Sequence, residues 1–369
     1  MKFEEFNKEI ENKLSIVRDE EFYDVYSYLK QFFSDYINEI KTDLISDILV
    51  LSGKKESEKF KTELKNELND KIDSVSTKIL CAFESYSNGN IIEAINNIYE
   101  LITDDIQHSN YNYKPPFENE FYRIRIIDNK SGLIKANGMF HIPFEKRYLV
   151  SPQRFSINGF PCLYAGDSIL VSWLEMGEPN LENFCVSRLE LDKKEKEKDN
   201  ILDLRWPSFS NLMQEIENVE NPDYILELIK ACLINWPLII ACSLKVQHPQ
   251  APFKPEYVIP QLVLMSMMRD ESFIGCAYTS TKINSEFIWE TKFTNFVFPA
   301  KKRNEKNKDY KLLKDYFLIT DSICYKYEVL KSSFEHFDKD FTKDIKDYKY
   351  STFGMMEQIL KDKELKKIE

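Results

Sequence analysis

Proline divides this chain more sharply than any other residue. All 14 prolines fall between Pro115 and Pro299, so the first 114 residues and the last 70 contain none. Proline removes a backbone donor and clashes inside helices, but it suits turns and strand ends. The distribution predicts helical flanks around a centre of strands and turns. In the first flank, Phe3, Phe6, Ile10, Leu14 and Val17 recur at three- and four-residue steps. Val25, Leu29, Phe32, Tyr36, Ile40, Leu44 and Ile48 continue the pattern, followed by Phe60, Leu64, Leu68, Ile72, Val75 and Ile79, then Ile91, Ile95, Ile98 and Ile102. Each series is an amphipathic stripe. Gly53 and Gly89 fall where one stripe gives way to the next, as helix-ending glycines do. About four helices are expected here, packed as an antiparallel bundle.

The centre reads differently. After YNYKPP at 111–116, a linker by composition, come short apolar runs separated by turn residues: FYRIRII, PCLYAG, NFCVSRLEL, PLIIACSLKV, FIGCAYTS and NFVFP. Between them, 167–176 and 260–268 carry helical spacing. The pattern predicts an α+β domain over 115–300 between an N-terminal helical domain, 1–110, and a C-terminal extension, 301–369. That extension opens on the Lys-rich KKRNEKNKD and ends in helix-like spacing over 355–368.

Composition narrows the functions available. With 20 Tyr and 26 Phe the chain can build a large core, and its net charge of −11 argues against broad phosphate-backbone binding. No nucleic-acid partner is therefore expected. A small anion remains within reach, because one or two well-placed arginines hold it whatever the global charge. The seven cysteines include no C-x-x-C pair, which predicts buried free thiols in a reducing compartment. The first twenty residues lack an apolar signal core, and the most apolar stretch, 231–244, is interrupted by Asn235 and Pro237. A cytoplasmic protein with no membrane partner is the expectation. Phosphate-loop, dinucleotide-fold, nucleophile-elbow and H-E-x-x-H patterns are absent, and His108, His141, His248 and His336 are too dispersed to signal a metal site.

One constellation remains. Arg154-Phe155-Ser156, Gly159-Phe160-Pro161, Leu163-Tyr164-Ala165 and then Glu175 follow in order, with Phe121-Tyr122-Arg123 upstream. Pro260-Gln261 and Gly275-Cys276-Ala277-Tyr278-Thr279-Ser280 lie downstream. This series closely resembles the RES domain pattern, a family named for its Arg, Glu and Ser, and it covers about half of the chain. The resemblance implies an ADP-ribosyltransferase-like β-sheet core that consumes NAD⁺. Known members cleave the nicotinamide–ribose bond, some by phosphorolysis, and some transfer ADP-ribose to protein; many are toxins paired with an antitoxin. By resemblance, Glu175, Arg154 and Tyr164 take the catalytic positions, and Arg123, Ser280 and Ser156 bind substrate. Compact members carry Gly-Arg-Trp-Asn where this chain has Gln153-Arg154-Phe155-Ser156. Arg125 shares a strand face with Arg123 and is the alternative to it.

The chemistry gives these residue types a reason of their own. Breaking the glycosidic bond develops positive charge on ribose, which a carboxylate such as Glu175 stabilises. A pyrophosphate favours planar, bidentate arginines over lysines. Tyr164 offers a ring to stack on nicotinamide. The expected function is an NAD⁺ glycohydrolase or phosphorylase serving as a toxin or antiphage effector, with NAD⁺ as substrate, inorganic phosphate as the alternative co-substrate to water, and no other cofactor. A protein mono-ADP-ribosyltransferase and an inactive RES-like binding protein are the rival expectations. An enzyme that destroys NAD⁺ needs restraint, so an antitoxin or trigger protein is the expected partner.

Overall fold

The computed structural model describes residues 5, 24–55, 57–106, 120–127, 133–192, 200–206, 216, 219–269, 273–282, 293–300, 313–325 and 345–368. The stripe over 3–17 (Glu5 apart), the 111–116 linker and the Lys-rich 301–309 lie outside them. In chain order the helices are α1 (Val25–Glu39), α2 (Thr42–Leu51), α3 (Glu58–Ser87), α4 (Ile91–Glu100), α5 (Ala136–Met139), α6 (Ile169–Glu175), α7 (Pro222–Ser243), α8 (Val258–Arg269) and α9 (Thr352–Lys361). The strands are β1 (Glu120–Ile126), β2 (Cys162–Gly166), β3 (Phe184–Leu191), β4 (Asn200–Leu204), β5 (Phe273–Thr279), β6 (Thr294–Pro299), β7 (Phe317–Ile319) and β8 (Lys366–Lys367). The mixed α+β class matches the sequence expectation.

The chain forms two compact units. One holds Met1–Tyr113, Gln153–Phe155 and Leu204–Arg269; the other holds Lys114–Pro152, Ser156–Asp203 and Asp270–Glu369. This division is not the linear one expected from the sequence. The segment carrying α7 and α8 groups with the N-terminal helices, and the last residues join the sheet as β7, α9 and β8.

The helical unit is built by its stripes. Leu64, Leu68, Ile72, Val75 and Ile79 of α3 are all buried, and Leu29, Phe33 and Tyr36 of α1 join them. The stripe over 25–48 is two helices, since Ile40 leaves the helical region and α2 begins at Thr42. The run PLIIACSLKV, read from sequence as a strand, is instead the end of α7. From Ala231 to Ser243 only Asn235 is not buried. A helix buried on every side shows no 3.6-residue period, so pattern alone cannot separate it from a strand. α7 is the one described helix long and apolar enough to cross a membrane, and 89% of its most apolar window is buried within the chain. Tyr36 anchors it by donating from its hydroxyl to the Leu233 carbonyl at 2.9 Å.

The other unit is an eight-stranded sheet in the order β4-β5-β6-β2-β1-β3-β7-β8. Antiparallel pairing joins β1 to β2 and β3, β2 to β6, β5 to β6, and β7 to β3 and β8. The two faces of β1 pack differently. Phe121 enters one core with Leu163, Ala165, Phe296, Phe298 and Phe317, while Tyr122 and Ile124 meet Ile169, Leu170 and Val171 of α6 on the other. Gly275 lets β5 approach its neighbour, because a Cβ there would stand 2.4 Å from the Phe298 ring.

Two of the expected free thiols are paired. A disulfide joins Cys185 on β3 to Cys324, whose Cα atoms are 4.4 Å apart, within the usual bridging range. Cys162, Cys232, Cys242 and Cys276 are buried free thiols, while Cys81 is exposed. The expectation of buried thiols alone is corrected: 139 residues separate the bridged pair, and spacing in sequence cannot reveal such a partner.

Candidate functional site

α6 carries the site's carboxylate. Ser168 caps it, its hydroxyl accepting the Val171 N–H at 3.2 Å, which satisfies one orphan donor of the first turn. Glu357 on α9 accepts the Ile169 N–H at 2.7 Å, placing negative charge at the same end. The helix seats tightly on the sheet through Ser172, whose hydroxyl donates to the Tyr122 carbonyl at 2.7 Å and accepts the Gly166 N–H at 3.1 Å. Position 166 must be glycine for this, since a Cβ would lie 2.8 Å from that hydroxyl.

Glu175 ends α6. Its Oε1 accepts one hydrogen bond from Ser280 Oγ and one from Asn295 Nδ2, both at 2.7 Å. Oε2 has no partner among the described residues. Lys282 donates to the carbonyls of Leu174 and Glu175 at 3.1 and 2.9 Å, closing the helix end with a cation. Ser280 is 1% exposed and Asn295 4%, so both donors are fixed by packing and by the ends of β5 and β6. Two sequence-predicted residues 105 positions apart, Glu175 and Ser280, are thus in direct contact. Sequence reading did not select Asn295, although it was the polar residue of an otherwise apolar strand run.

The other predicted residues sit elsewhere. Arg123 lies on the Phe121 face of β1, opposite the face that α6 covers, and donates to the Tyr164 carbonyl at 2.6 Å. Arg125, two residues along on the same face, donates to the Phe140 carbonyl at 2.6 Å. The Nε of each is buried without a partner among the described residues. Burial, with the charge of Arg125 second, pushes the Arg123 pKa down to about 9, and burial also lowers that of Arg125. Tyr164 is half-buried and Ser156 is buried. Arg154 belongs to the helical unit. Its guanidinium is buried, donates to the Cys242 carbonyl at 3.1 Å and lies 5.2 Å from the centre of the Tyr257 ring. No hydrogen bond joins the arginines of β1 to Glu175 among the described residues. No group of three or more His, Cys, Asp and Glu able to hold a metal occurs among them.

With this geometry in place, the chain was compared with known proteins. Over 308 residues it is 31% identical to a protein of Bacillus subtilis (strain 168) described as "Putative toxin YopC". The resemblance is to a protein so described, a putative toxin. The alignment covers 79% of this chain and 65% of YopC, so the chain spans less than two thirds of its relative's length. No family model matches the chain, and no solved structure matches it.

Proposed function

We propose that this chain is an NAD⁺-degrading enzyme, a glycohydrolase or phosphorylase of RES type, acting as a toxin. The observation that carries the reading is the bond between Glu175 and Ser280, two residues chosen from sequence for one site and found 2.7 Å apart. The likeness to YopC supports the toxin part.

Glu175 supplies the electrostatics. As the C–N glycosidic bond breaks, its electron pair leaves with nicotinamide, which departs neutral, and positive charge develops on the ribose ring. A carboxylate whose position is already fixed by Ser280 and Asn295 stabilises that charge without reorganising. Water or phosphate then forms the new C–O bond at the anomeric carbon, and water releases its extra proton to solvent. Arg154 is the proposed diphosphate ligand and Tyr164 the nicotinamide platform, each by family resemblance, and Ser156 is proposed to bind substrate in place of the family's asparagine; Arg123, on the sheet face opposite α6, takes no part in this step.

The reading is tested by incubating purified protein with NAD⁺ labelled in the adenylate half, with and without phosphate. ADP-ribose is the expected product of hydrolysis and a phosphorylated ADP-ribose that of phosphorolysis. Label fixed to protein would support the ADP-ribosyltransferase alternative. Intact NAD⁺ under every condition would count against all three and favour a binding protein.

A further inference from the structure

The helix that carries Glu175 is too short to hold itself. α6 runs for 7 residues, from Ile169 to Glu175, and isolated helices shorter than roughly 12 residues are marginal in water. Its direction is therefore set by what grips its ends and its buried side. Ile169, Leu170 and Val171 enter the core on one face of the sheet, and Ser172 bonds backbone groups of β1 and β2. The grip on the first turn comes from the far end of the sequence.

Glu357 on α9, 188 positions beyond Ile169, is the centre of that grip. Its Oε1 accepts the Ile169 N–H at 2.7 Å and the Tyr348 hydroxyl at 2.5 Å. The Tyr348 oxygen is bonded in turn by the Leu170 backbone N–H, and Ser168 accepts that of Val171. The first three amides of α6 thus each have a fixed acceptor, two of them supplied by the C-terminal segment. Apolar packing joins the same elements. The Trp173 ring of α6 lies 5.4 Å from the Phe353 ring of α9, and Met356 and Leu360 share the core with Ile169. Apolar burial is non-directional and sets how closely the two helices pack. The hydrogen bonds are directional and set the angle.

We infer that Glu357, supported by Tyr348, is a positioning residue for Glu175, so that the C-terminal segment belongs to the catalytic apparatus. At 1.5 Å per residue the first and last residues of α6 are about 9 Å apart along the axis, so a tilt of about 6° moves the carboxylate by roughly 1 Å. Its partners Ser280 and Asn295 belong to the ends of β5 and β6, and the sheet does not follow such a tilt. A misplacement of this size costs on the order of 10²-fold in rate. The inference rests on the proposed role of Glu175 for its effect on catalysis; the hold on α6 does not depend on that role.

The test is steady-state NAD⁺ cleavage by the full chain, read as kcat and KM, together with amide hydrogen exchange of the peptide spanning α6. Glu357→Ala is expected to lower kcat about tenfold or more, to change KM by less than about twofold, and to speed exchange in α6. Glu357→Gln keeps the acceptor oxygen and should restore most of both. Asp321→Ala is the control: it unties the same segment from Lys366 and from the Ala136 N–H, and Asp321 has no bond to α6 among the described residues. Its kcat should match wild type. If Glu357→Ala does not fold, Tyr348→Phe, which keeps the ring and loses the hydroxyl, is read in its place, with a several-fold fall in kcat expected. An unchanged kcat in Glu357→Ala, or an equal fall in Asp321→Ala, would overturn the positioning role. If the wild type leaves NAD⁺ intact, the enzyme reading fails and exchange alone decides the hold on α6. Protection lost in Glu357→Ala and regained in Glu357→Gln upholds it; unchanged protection overturns it.

Discussion

The two sides of the sheet that carry α6 and the β1 arginines treat a half-buried charge in different ways. Around Glu175 the protein supplies the partners itself: Ser280 and Asn295 donate to one carboxylate oxygen, and the other stays available. Around Arg123 and Arg125, among the described residues, each guanidinium bonds one backbone carbonyl and no carboxylate, and both Nε atoms and the Ser187 hydroxyl have no partner. Arg188, on the neighbouring strand, is held by two glutamates, although its Nε too has no partner among the described residues.

Four substitutions sharpen or break this contrast. Removing Arg188 has a large expected effect on stability: Arg188→Met strands Glu190, while Glu120 keeps Lys361 at 3.1 Å, and denaturant unfolding should show a loss of ~2 kcal/mol, reduced from the fully buried case because both carboxylates reach solvent. Ser280→Ala deletes one charge-assisted hydrogen bond to Glu175. Steady-state NAD⁺ turnover should fall roughly ten- to hundredfold while the unfolding midpoint changes little. Arg125→Met removes a half-buried charge together with its bond to the Phe140 carbonyl, two effects of opposite sign, so the denaturant midpoint should move less than for Arg188→Met.

The effect that depends most on pH is expected at Asp167, just before the α6 cap. Burial pushes its carboxyl up to about 8. An unfolded aspartate titrates near ~3.9, so the folded chain holds an extra proton between those values. This contribution is full below ~4 and is lost as pH rises to about 8. Asp167→Asn should flatten that part of the stability curve, which thermal melts at pH 5 and 8 can read.

The sequence revealed these features unevenly. β1, β2, β3, β5 and β6 were legible because apolar runs of ordinary strand length stand between turn residues. β7 and β8, three and two residues long, carry no period and were missed. α7 was taken in part for a strand because nearly all of its second half is apolar. Glu175 and Ser280 could be paired only through a family resemblance, since nothing local links positions 105 apart. Asn295 was visible as a polar residue in the apolar run NFVFP, but its donation to Glu175 depends on the β5–β6 register. The shared face of Arg123 and Arg125 followed from strand alternation. That no carboxylate pairs with them among the described residues did not, because only packing shows which carboxylates are within reach.

The central claim is that the Glu175 charge stabilises a transition state in NAD⁺ cleavage. It is tested most directly by nicotinamide release from wild type and Glu175→Gln, both checked for folding by circular dichroism. Glutamine keeps an oxygen to accept from Ser280 and Asn295 but loses the charge. The account predicts rapid release by wild type and a fall of roughly 10²–10³-fold in the variant. Equal rates in two folded proteins would contradict it.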